Sequence, residues 1–164
     1  MFELRSLSTS AIPAALAKAE RYRLLNEPSE AESICLDVLA VEPAHQEALT
    51  MMLLAITDEF RGEGDAARGA RAEQIVPRLA DDYARAYYSA LIKERRARAY
   101  VGHGRPGLAY DWLVDALHGF DKAIALRPAG NDDAVLRWNA CVRLLERLPA
   151  PSTEHHGEPV IVSE

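Results

Sequence analysis

The sequence predicts an all-α protein of repeated helical hairpins, and two observations carry that expectation. The stretches Ala31-Glu-Ser-Ile-Cys-Leu-Asp-Val-Leu-Ala-Val-Glu-Pro43 and Ala116-Leu-His-Gly-Phe-Asp-Lys-Ala-Ile-Ala-Leu-Arg-Pro128 are two copies of one design. Each is an alanine-started apolar helix that stops at a proline, with a further alanine (Ala44, Ala129) beyond the stop. A third proline, Pro77, follows Pro43 by 34 residues, and helical hairpins recurring at such a period stack into a solenoid.

Composition agrees. At 164 residues and 49% hydrophobic, the chain can bury one proper core. Only 7% of residues are aromatic, so the apolar content leans on Ala and Leu, which suit closely packed helices. Strand-like runs are confined to Val160-Ile161-Val162. The first residues include no long apolar segment, so neither a signal peptide nor a membrane span is expected. Cys35 and Cys141 each fall on an apolar helical face and read as buried reduced thiols, which makes the cytoplasm the expected location.

The first hairpin is expected to run from about Ala14 to Leu25, turn at Asn26-Glu27-Pro28-Ser29, and return to about Val41. Asn26 suits the left-handed conformation that ends helices, Pro28 stops continuation, and Ser29 is the expected cap of the second helix. Position by position this hairpin resembles the tetratricopeptide repeat. Ala19 stands at the family's small residue, Tyr22 at its Tyr, Asn26 at its turn Gly, Ala31 at the helix crossing, Leu39 at the late Leu and Pro43 at the terminal Pro. Ala15 and Lys18 depart from the usual Trp and Leu. The resemblance implies a right-handed helical-hairpin solenoid of about three hairpins plus a C-terminal capping helix. It also implies a non-catalytic module that binds a protein or peptide segment.

The second hairpin is expected as a helix over 46–60 with Leu49, Leu53 and Ile56 on one face, a Gly62-Glu-Gly64 turn, and a partner from Ala66 to Val76. Gly69 replaces an aromatic of the family, so thin packing is expected there; Pro77 either ends the repeat or kinks a longer helix. The third hairpin pairs Tyr83–Val101 with Leu108–Leu126 across Gly102–Gly107 and is about two helical turns longer in its second helix. A last helix from Asn131-Asp132 carries Val135, Trp138, Val142 and Leu145 on one face and should cap the stack. The helical domain thus spans 1–148, and the polar, proline-rich 149–164 reads as a disordered tail.

The net charge of −6 argues against general nucleic-acid binding, yet residues 83–105 hold Arg85, Lys93, Arg95, Arg96, Arg98 and Arg105 against Glu94 alone. Five of six tyrosines and Trp112 fall within 83–112. Arginines and aromatics together suit an interface, so Tyr87, Tyr88, Arg95, Arg96, Arg98 and Trp112 are the candidate partner-binding residues, an acidic partner being favoured. The competing reading fills the long hairpin with those rings and leaves the arginines as its solvated face. On α-helical spacing 88, 92, 95 and 99 share one face and 87, 91, 94 and 98 another, only one of which can meet a partner.

The family's carboxylate clamp for chaperone tails is not expected, because its Lys and Asn positions carry Leu16, Glu20 and Met51. No catalytic residue, metal site or cofactor is expected. Nucleophile elbows and Gly-rich phosphate loops are missing, His155-His156 with Glu158 is a weak metal set, and His45 and His118 are isolated. Two further readings are an accessory subunit taking RNA or another acidic ligand through 83–105, and a structural homo-oligomer.

Overall fold

Asn26 sits at φ 59°, and the Glu27 amide donates back to the Tyr22 carbonyl at 2.9 Å, closing the first helix with a Schellman turn. Gly104 (φ 74°) repeats the geometry, with Arg105 N–H on the Tyr100 carbonyl at 2.9 Å. A proline follows each left-handed residue by two positions, and each begins the next helix. These turns organise a computed structural model that describes residues 2–149. Its helices are α1 (Ile12–Leu24), α2 (Pro28–Val41), α3 (Gln46–Asp58), α4 (Ala66–Ile75), α5 (Asp82–Gly102), α6 (Pro106–Leu126) and α7 (Asp133–Leu145), with no strand among the described residues. The expected tail, with His155, His156 and Glu158, lies outside them.

Pro28 and Pro106 therefore start α2 and α6 rather than stopping anything. The first helical N–H has no intrahelical acceptor, so proline loses nothing there, and Ser29 makes no cap. His45 caps α3 by accepting the Ala48 N–H at 3.3 Å on Nδ1, a role its isolation in sequence did not suggest. Asp81 caps α5 through Ala84 N–H at 2.7 Å. Asn131 Oδ1 accepts from Asp133 N–H at 3.0 Å and from the Tyr83 hydroxyl at 3.3 Å, tying the start of α7 to the start of α5. Pro77 lies in a 3₁₀ turn (Val76–Arg78) after α4, and a new helix starts at Asp82, so no kinked helix runs through it.

Each of α1, α2 and α3 packs on the helix that follows it in sequence, as do α4, α5 and α6, and α3 also touches α1 and α5. Ala19, Ala55 and Ala97 each precede a left-handed turn residue by seven positions and are fully buried, which lets the helix backbones close up. The largest of the cores gathers Leu16, Leu49, Leu53, Ile56, Phe60 and Ile92 from α1, α3, α5 and the loop after α3. A second gathers Leu91, Leu113, Phe120 and Cys141 from α5, α6 and α7, and a third, smaller one joins Ala19, Ala31, Cys35, Met51 and Ala55 of α1, α2 and α3. On α7 the buried residues are Ala134 and Cys141, with Trp138 and Leu145 packed beside them; Val135 and Val142 are offset from that face. No helix among the described residues is long and apolar enough to cross a membrane.

Candidate binding cleft on the odd-numbered helices

A row of alternating charge links α1, α3, α5 and α7. Arg23 donates from Nε to Asp58 Oδ2 at 2.7 Å and from Nη2 to Oδ1 at 3.3 Å. From the other side Arg95 Nη1 reaches Asp58 Oδ1 at 2.5 Å, Thr57 Oγ1 at 2.7 Å and the Leu54 carbonyl at 3.0 Å. The preceding residue of α5, Glu94, is fully buried; its Oε1 accepts from Arg98 Nε at 2.8 Å and lies 3.5 Å from Arg137 Nη1. Its Oε2 has no hydrogen-bond partner among the described residues. Four guanidiniums thus share two carboxylates, leaving a surplus of two positive charges on a chain of net charge −6.

Burial lowers the pKa of Arg95, with Asp58 working against the shift. Burial likewise lowers that of Arg137, but Glu94 and the Tyr87 hydroxyl outweigh it and the net shift is upward. Each faces a carboxylate that favours its cationic form, Asp58 for Arg95 and Glu94 for Arg137. Beside this row opens a cleft of about 350 Å³ lined by Thr57, Asp58, Phe60, Arg95, Arg98, Ala99, Gly102 and His103. Arg98 is the most exposed of the four arginines along it apart from a comparable Arg137, at 44% against 18% for Arg95 and Arg23. Its Nε is held by Glu94, and among the described residues its two Nη groups have no partner, so they are free to bind.

The six sequence candidates divide three ways. Arg95 and Arg98 border the cleft. Arg96 points away from it, its guanidinium 4.6 Å from the Trp112 ring centroid and 6.0 Å from that of Phe60, so Arg96 and Trp112 form a packing unit. The same guanidinium fills the space over Gly69, where a Cβ would lie 1.8 Å from Arg96 Nη2; the expected thin packing is filled from another helix. Tyr87 and Tyr88 are half-buried and meet edge to face at 5.1 Å, Tyr87 also stacking on Tyr83 and edging onto Phe120. Both faces of α5 pack inward: Ile92 and Arg95 toward α3, Leu91 and Glu94 toward α6 and α7.

The basic segment is correspondingly engaged within the fold. Arg85 pairs with Asp82, Arg95 with Asp58, Arg98 with Glu94, and Arg105 with Glu63. Sequence reasoning passed over Arg23 and Asp58. The available signal was opposite charge about one repeat apart, since Arg23, Asp58 and Arg95 are separated by 35 and 37 residues. The clamp positions Leu16 and Met51 are buried. Among the described residues no group of three or more His, Cys, Asp or Glu side chains is placed to hold a metal ion. No family model matches the chain, and neither does a curated protein or a solved structure.

Proposed function

We propose that the chain is a non-catalytic interaction module of the tetratricopeptide kind, a right-handed stack of three hairpins capped by α7. It receives an acidic protein segment in the cleft between α3 and α5. The observation that carries this reading is the surplus of guanidinium charge beside an open cleft on an acidic molecule. An acidic segment is steered there by the local field while the rest of the surface repels it. The stacked arrangement is supported by the sequential packing of the helices, by contacts of α3 with both α1 and α5, and by the recurring buried Ala19, Ala55 and Ala97. The free buried Cys35 and Cys141 fit a reducing compartment such as the cytoplasm.

Fluorescence anisotropy with labelled hexaglutamate, hexalysine and an oligouridylate tests the reading. The expected result is binding of hexaglutamate, weakened about tenfold by Arg98→Glu, which replaces an attraction by a repulsion of comparable size. Stronger binding of the oligouridylate would favour the RNA-accessory reading instead.

A further inference from the structure

The acidic ligand with the highest local concentration is in the chain itself. Residues 150–164 contain Glu154, Glu158 and Glu164 and no Lys or Arg. They follow Pro149, four residues beyond the end of α7. The start of α7 is bonded to the start of α5 through Asn131 and Tyr83, and Arg137 lies level with Glu94. Leu144, Leu145 and Leu148 join the same core as Tyr100 and Val101. Glu94 thus joins Arg137 of α7 to Arg98, which lines the cleft with Gly102 and His103. Fifteen residues can span up to about 50 Å.

We infer that the 150–164 segment is an internal ligand of the α3–α5 cleft, its glutamates taking the free Nη groups of Arg98 and so competing with an acidic partner. The inference rests on the proposed reading of the cleft as an acidic-segment site. Tethering makes the competition effective: a short linker holds its ligand at millimolar effective concentration, which suffices even for a weak contact.

Three proteins carrying residues 1–164 test it: the wild type, the tail variant Glu154→Gln/Glu158→Gln/Glu164→Gln, and the control Glu20→Gln/Glu30→Gln/Asp37→Asn. The control removes the same charge from exposed positions of α1 and α2. At low salt the tail variant should bind labelled hexaglutamate about threefold or more tighter than the wild type, and clearly tighter than the control. The backbone amide resonances of Ala99, Gly102 and His103 should shift in the tail variant and stay in place in the control. Arg98→Glu should abolish the tail-dependent shift.

Equal gains in tail variant and control, still amide resonances, or a shift that survives Arg98→Glu would each overturn the inference. Hexaglutamate binding all three proteins alike, with those amides unmoved, leaves the proposed function standing and removes the tail from the cleft. Amides that respond to the tail charges while no protein binds hexaglutamate would support the internal contact and remove the external partner.

Discussion

Asp58 is the residue on which the charge row depends. Two guanidiniums, each 18% exposed, converge on its single carboxylate. Asp58→Ala leaves both without their anion and should cost about 2–3 kcal/mol by urea denaturation, below the full buried-pair penalty because water still reaches the site. Arg95→Glu should act on stability in the same direction; Arg98→Glu sets a second carboxylate beside the buried Glu94 and should cost stability as well as binding, so its binding is read on protein that circular dichroism shows to be folded. Gly69 offers a test that depends on the background. In the wild type, Gly69→Ala must displace Arg96 from its place beside Trp112, so little or no stability is gained. In an Arg96→Ala background the same substitution should stabilise by about 0.5–1 kcal/mol, the helix preference of alanine over glycine. Cys35 and Cys141 have thiol pKa values pushed up to about 12, mainly by burial. Between pH 9 and 12 the unfolded chain gives up thiol protons that the folded chain keeps, so stability should fall as pH rises through that window. Replacing either Cys by Ala should flatten that fall in pH-dependent denaturation.

At the scale of elements, the third hairpin is long because its two helices have a second close approach. Counting from the turns, Ala31 corresponds to Ala109, both fully buried, whereas counting from the terminal prolines it corresponds to Ala116. The seven residues by which these counts differ are the added turns. They bring Gly119 against Ala90, where a Cβ on Gly119 would lie 2.7 Å from the Ala90 Cβ. Gly119→Ala should therefore destabilise by about 1–3 kcal/mol in thermal or urea melts, overpacking exceeding the gain in helix preference. Ala31→Leu should cost a similar 1–3 kcal/mol at the first crossing, since that side chain is fully buried. An unchanged melting temperature for both variants would mean the helices can separate without loss.

For the whole molecule, opposite charge is divided between a negative exterior and a cleft with surplus cations. Association of an acidic segment should slow as salt rises from 50 to 500 mM, because the Debye length falls from about 14 to about 4 Å and the steering field with it. Stopped-flow association rates measure this directly. A rate independent of salt would mean that apolar contact, through Phe60 and Ala99 for example, governs the encounter.

The sequence by itself determined the helices, most of their ends and the small buried positions. Those are local matters: Asn26 takes the left-handed turn and Ala19 and Ala31 permit close approach, whereas the prolines that read as stops or as part of a turn begin α2 and α6. It also marked residues 83–112 as rich in Arg and aromatic groups, where neither the structural nor the binding reading could be preferred. Tertiary structure decided which arginines are engaged and which are free. Arg95, Arg96 and Arg98 are neighbours on one helix, yet one is bound to α3, one lies by the Trp112 and Phe60 rings, and one borders the cleft. A 100° rotation per residue separates them. What each meets depends on helices many residues away, and no local pattern records that.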